Sequence, residues 1–142
     1  MNGEQAGGKF VFDKLVDWTQ RLEDAIKYFS GTAVYRKSFE LSANAPAMFL
    51  DLGVVKEMTR VKLNGQDLGT VWCSPWRVDI SKAVKVGENQ LEIEVVNLWP
   101  NRLVGDSKLP ADKRRTRTNI AVRSDQLISS GLLGPVRVMA GE

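Results

Sequence analysis

The run VKLNGQDLGTVWCSPWRVDISKAVKVGENQLEIEV, Val61–Val95, decides the architecture of this chain. It opens with Val61 and Leu63 alternating with Arg60 and Lys62. Asn64-Gly65 follows, a strong short-range hairpin signal, because a type I′ turn needs positive φ at both central positions. Further on, Trp76, Val78 and Ile80 alternate with Arg77 and Asp79, and Leu91, Ile93 and Val95 alternate with Glu92 and Glu94. A period of two marks half-buried strands. The same rhythm extends outward. In Thr32–Leu41 the residues Ala33, Tyr35, Phe39 and Leu41 share a face opposite Arg36, Ser38 and Glu40, with Lys37 the exception. Met48, Leu50 and Leu52 form another inward set, and Val136 and Val138 close the chain around Arg137. Gly53, Gly69 and Gly87 punctuate the turns. Many short strands at short spacing predict an all-β sandwich or barrel.

Two stretches depart from this rhythm. Leu15, Trp18, Leu22, Ala25, Ile26 and Phe29 recur at helical spacing, which predicts a short N-terminal helix within Trp18–Tyr28. Asp17 is its candidate cap and Gly31 its stop. Phe10–Val16 reads as a first strand. From Asn97 to Gly134 the alternation fails, and the segment reads as a long loop with at most a short strand or helix around Asn119–Ile128. Loops of that length inside a domain are functional or partly disordered.

The chain has 142 residues, 43% of them hydrophobic and 26% charged. Residues 1–142 form one sandwich domain on this reading, with about the first nine flexible, and a core of this size folds without staples. A lone cysteine, Cys73, excludes an internal disulfide, and the absence of histidine removes Ser-His-Asp and Cys-His catalysis and the usual zinc sites. No apolar run approaches the ~20 residues that span a bilayer, so no membrane partner is expected. Gly7–Lys9 lacks the rest of a phosphate loop. The acids Glu40, Glu92, Glu94 and Asp79 fall on outward phases, as solvated faces do.

Net charge is +3 and unevenly placed: from Arg102 to Arg123 seven basic residues stand against Asp106 and Asp112. The basic loop Lys113, Arg114, Arg115 and Arg117 reads as a solvated loop, or as a grip on an acidic polysaccharide or on a neighbouring domain. Nucleic acid is not expected as a partner, because the cluster holds no aromatic ring to stack on bases.

Three strings, Tyr28–Leu41 (YFSGTAVYRKSFEL), Val61–Val95 and Asn97–Asp106 (NLWPNRLVGD), followed by Ser130–Val138 (SGLLGPVRV), together resemble the galactose-binding-like jelly-roll domain of family 2 glycoside hydrolases. They are similar also to the C-terminal module of rhamnosidase-type enzymes of family 106. The resemblance implies a non-catalytic accessory module cut from a larger glycoside hydrolase, with that enzyme's catalytic domain as partner, carbohydrate as a further contact, and a monomer when isolated. A polysaccharide-degrading parent would place it in the periplasm or outside the cell. The resemblance admits a structural calcium, but no D-x-D-x-D loop supports one, so no metal residues are assigned and no cofactor is expected.

The residues singled out for binding carbohydrate or a partner are Asn97, Trp99, Asn101, Arg102, Asp106 and Trp72. Aromatic rings suit the apolar faces of sugars, and Asn, Arg and Asp suit vicinal hydroxyls. Each has a plainer reading. Trp76 and Trp18 fit the core, and the polar four could tie down the loop through backbone contacts. The resemblance implies that Asn101, Arg102 and Asp106 reach toward a catalytic pocket outside this chain. Two other readings stay open: an autonomous carbohydrate-binding module with Trp99 and Trp72 as its platform, and a protein-interaction module using the basic loop.

Overall fold

The Asn64-Gly65 turn adopts φ of 52° and 80°, both positive as a type I′ turn requires. It joins two antiparallel strands that pair Leu63 with Gln66. The computed structural model describes residues 8–119, 122 and 125–141. Its strands are β1 (Gly31–Leu41), β2 (Met48–Asp51), β3 (Val54–Lys56), β4 (Met58–Leu63), β5 (Gln66–Val71), β6 (Arg77–Asp79), β7 (Gly87–Asn97), β8 (Gly131–Gly134) and β9 (Arg137–Ala140). They form a four-stranded sheet in the order β1-β7-β4-β5, a three-stranded sheet β6-β2-β9, and a two-stranded ribbon β3-β8. All strand pairings are antiparallel.

Alternation builds the core. Val61, Leu63, Leu91, Ile93 and Val95 from the larger sheet pack with Met48, Leu50, Val78 and Ile80 from the smaller one, with Trp76 and Val138 partly buried against them. The opposite face of the larger sheet is charged and cross-paired. Arg36 Nε reaches Glu92 at 2.8 Å, Lys62 Nζ reaches Glu94 at 3.2 Å, and Arg60 pairs with Asp67. Lys37, the exception in the alternation, is exposed on β1, an edge strand of the sheet. An inward-phase charge on an edge discourages pairing with another chain.

The β-sandwich expected from the sequence is present, with helix confined to short pieces. Three local expectations need correction. Phe10–Val16 is irregular rather than a strand. Phe12 and Leu15, three residues apart, both pack on the core while Val11 is left exposed, so the period of two breaks there. The short helix expected within Trp18–Tyr28 is present as one α-turn, α1 (Asp24–Lys27), preceded by a 3-10 turn, Trp18–Gln20. Leu22 lies 92% exposed between the two, so no continuous apolar stripe exists to bury. Gly31 starts β1 instead of stopping a helix. The third correction falls between Asn97 and Gly134, where an eight-residue helix, α2 (Pro100–Ser107), replaces the expected loop. The element expected around 119–128 falls partly outside the described residues, as does Arg123 of the basic segment entirely. No described helix is long and apolar enough to cross a membrane.

Asn89 fastens the hairpin to the rest of the sheet. It is fully buried, and its Nδ2 donates to the carbonyls of Lys85 at 2.7 Å and Gly87 at 3.0 Å. Its Oδ1 accepts from Lys85 N at 3.0 Å and from Asn64 Nδ2 at 2.9 Å. Asn64 in turn accepts from Gln90 N at 2.9 Å, so the turn residue also bridges to β7. Replacing Asn89 by Ala strands several of these buried groups. Asn89→Ala is expected to cost about 2 kcal/mol, read as a lower urea midpoint with an unchanged slope.

Candidate functional site

α2 begins directly beyond the end of β7. Pro100 occupies its first turn, where a missing N–H leaves nothing unsatisfied. The face turned inward consists of Asn101, Val104, Gly105 and Asp106. Gly105 lets the helix lie against Tyr28, since a Cβ there would stand 2.6 Å from the ring. Lys108, at the helix end, donates to Tyr28 OH at 3.2 Å and lies 5.5 Å above the ring centre.

Polar side chains around this helix hold the irregular backbone. Asn97 Nδ2 donates to Phe29 O at 2.8 Å, while its Oδ1 accepts from Leu98 N at 2.9 Å. Asn101 is 1% exposed and bonds both ways to one residue, donating to Ile128 O at 2.7 Å and accepting from Ile128 N at 2.8 Å. Ser130, also buried, donates its N–H to Asp17 Oδ1 at 3.1 Å, and its carbonyl accepts from Trp18 N at 3.0 Å. Asp17 caps its own 3-10 turn through Thr19 N at 2.9 Å. Trp18 is buried, donates to Tyr35 OH at 2.6 Å, and rests on Gly131, where a Cβ would stand 2.4 Å from its Nε1.

Asp106 is the centre of the cluster. It is 2% exposed and faces Arg102 Nη2 at 3.0 Å. Its Oδ2 accepts from Arg115 N at 3.1 Å, Thr116 N at 2.7 Å and Thr116 Oγ1 at 2.6 Å. Burial pushes the carboxyl pKa up, but the Thr116 hydroxyl and N–H, then the Arg102 charge, hold it below the usual range. Arg102 Nε is buried with no hydrogen-bond partner.

The basic loop hangs from this carboxylate. Thr116 is half-buried, whereas Lys113, Arg114, Arg115 and Arg117 are exposed. Arg114 Nε folds back to Leu109 O at 3.0 Å. Trp99, at the N-cap of α2, is 61% exposed, and Trp72, just past β5, is 70% exposed. The register sets Trp72 one residue beyond the Thr59–Val71 pair, and Thr59 faces Val95 of β7. Trp72 therefore lies at the same end of the sheet as the α2 start, two strand spacings from β7, or about 10 Å.

The structure thus gathers Asn97, Asn101, Arg102, Asp106 and the basic loop around α2, with Trp99 at its mouth and Trp72 across the sheet. Sequence reasoning missed Tyr28, Gly105, Thr116 and Ser130 as parts of this assembly. Pro100 could have signalled the helix, but its buried face is largely polar and hydrophobic periodicity does not see it. Among the described residues no group of three or more acidic, cysteine or histidine side chains comes together.

Residues 16–129 match the family described as glycosyl hydrolase 2 galactose-binding domain-like. A protein from Formosa agariphila named for β-glucuronidase activity is 42% identical over 92% of this chain, which covers 14% of that protein. The structure of a rhamnosidase from Novosphingobium sp. PP1Y superposes with a TM-score of 0.82 at 39% identity, over 89% of this chain and 12% of that one. The β-glucuronidase of Ruminococcus gnavus, at 21% identity and a TM-score of 0.50 over 56% of this chain and 14% of its own, shares the fold. The chain therefore spans only about one-seventh or less of the length of these relatives.

Asp106→Ala leaves Arg102 as an uncompensated, largely buried charge, and should cost about 3 kcal/mol in chemical denaturation. Trypsin should then cut the released loop after Arg114–Arg117 faster than in the parent chain. The folded pKa values of Asp106 and Asp17 are both depressed. Their contribution to stability is therefore complete above about pH 4 and lost as pH falls through the folded values. Thermal melting should show a drop in Tm on acidification that shrinks in Asp106→Asn.

Proposed function

The chain belongs to the glycosyl hydrolase 2 galactose-binding domain-like family, and from that we propose that it is a non-catalytic accessory module of a glycoside hydrolase. Its partner on this reading is the catalytic domain of its parent enzyme, with α2 and the segment after Asn97 facing that domain or the glycan. The observation that carries the proposal is one of proportion. Relatives 42% and 39% identical are named as glycosidases, yet this chain fills 14% and 12% of them.

The carboxylates support the non-catalytic part. A glycosidase acid must hold its proton near neutral pH, which requires a raised pKa. Among the described residues every carboxylate shift that is resolved runs downward, in Asp17, Glu23, Asp51, Asp67, Asp79 and Asp106. Asp67, held by Arg60, falls to about 2. These groups are ion-pair partners and turn caps. The candidate contacts are then Trp99 and Trp72 at the surface, with Asn97, Asn101 and Asp106 positioning the backbone beneath them and Arg102 largely buried against Asp106. The relatives' names point to one acidic and one neutral sugar, so either class stands as substrate of the parent.

The exposure of Trp99 and Trp72 favours a second reading, an autonomous carbohydrate-binding module that uses the two rings as a platform. Calorimetry with a broad glycan panel separates the two. Trp99→Ala should change stability by less than about 0.5 kcal/mol, as exposed sites do. Saturable heat lost in that variant establishes the autonomous module, and no heat with any glycan leaves the scaffold. The isolated chain is expected to release no aryl leaving group from aryl glycosides. Turnover abolished by replacing a single carboxylate would overturn the accessory reading.

A further inference from the structure

The chain uses a nearly fully buried carboxylate to fasten a loop whose exposed side chains are cations. Asp106 Oδ2 accepts three hydrogen bonds from residues 115 and 116 of that loop. Burying a carboxylate is costly unless it is paired and bonded, and here Arg102 and the loop backbone share the task. Thr116 turns inward to reach the carboxylate, while its neighbours Arg115 and Arg117 stay exposed. Lys113, Arg115 and Arg117 enter no ion pair among the described residues, and Arg114 commits only its Nε, to a carbonyl. Asp112 is the one acid inside the run 112–117. A solvated loop needs no such anchor. Like charges held close together repel, so fixing them lowers stability unless an anion answers them.

We infer that Lys113–Arg117 is an anion-recognition loop for the carboxylates of an acidic glycan, with Arg115 and Arg117 as the principal contacts and Asp106 as the residue that presents them. This rests on the accessory-module reading and narrows its carbohydrate to the uronate class. Guanidinium groups bind carboxylates through paired, charge-assisted hydrogen bonds, which a sugar acid offers and a neutral sugar does not. A pre-fixed backbone lowers the ordering cost of binding. The run lacks the aromatic rings with which single-stranded nucleic acid is held, so a glycan is favoured over that polyanion.

The test uses the chain itself and a short oligogalacturonate, with its fully methyl-esterified form as the uncharged control. Calorimetry at about 0.15 M salt, where the screening length is ~8 Å, suppresses diffuse attraction. Binding of the acid and not of the ester is expected, with at least a ten-fold loss in the Arg115→Gln/Arg117→Gln double variant. That variant keeps the backbone N–H of residue 115, so its melting temperature should match the parent's, and Lys113→Gln should give a smaller loss. Duplex DNA competing equally, charge for charge, would reduce the loop to a general polyanion surface and overturn the inference. Equal binding of acid and ester, unaffected by the double variant and abolished by Trp99→Ala, would also overturn it, while leaving the carbohydrate reading intact. No binding of either form overturns it too, and leaves the module as scaffold.

Discussion

Between the end of β7 and the start of β8 the backbone leaves the sheets, and its buried N–H and C=O groups must find partners that are not strands. Side chains on and around α2 supply them. Asn97 ties the exit of β7 to Phe29, Asn101 closes on Ile128, Asp106 holds residues 115 and 116, and Asp17 receives Ser130. The α2 helix can do this only because it is docked, and Gly105 against Tyr28 makes the docking close. Everything proposed for function, Trp72 apart, lies on the surface that these bonds set.

The arrangement concentrates risk. Small domains are stable by about 5–15 kcal/mol in total, so one buried ion pair or one satisfied carboxamide is a considerable share. Arg102 and Asp106 are such a pair, and their interaction is favourable only while both remain and the loop keeps its bonds to Oδ2. The sandwich behind them is less exposed to a single change, because its apolar side chains contribute area from several strands at once. Stability is thus distributed in the sheets and localised at α2.

The candidate site was only half legible in the residues. Asn97, Asn101, Arg102, Asp106 and Trp99 stand out in NLWPNRLVGD because core packing does not demand them. Their geometry was not legible. Period counting looks for apolar residues three and four apart, but here the buried positions 101, 105 and 106 are Asn, Gly and Asp. In the N-terminal segment the expected short helix is there, as the single turn α1. The segment's apolar spacing runs longer than that turn, because Trp18 is claimed by Ser130 and Tyr35 while Leu22 is left in water.

By itself, the sequence determined the sandwich, the Asn64-Gly65 turn and the inward phases of β1, β2, β4, β7 and β9. A pleated strand puts alternate residues on opposite faces whatever it packs against, so the pattern is local. The family followed from strings that extend over most of the chain. Only the tertiary structure decided that 100–107 is a helix, that residue 106 is buried, and that a basic run is held rather than loose. Those outcomes rest on partners outside the reach of local periodicity, from Asp106 with Thr116, ten residues apart, to Asn97 with Phe29, Lys108 with Tyr28 and Ser130 with Asp17. A polar residue looks the same in sequence whether it meets water or a backbone amide, and only the folded chain brings that amide to it.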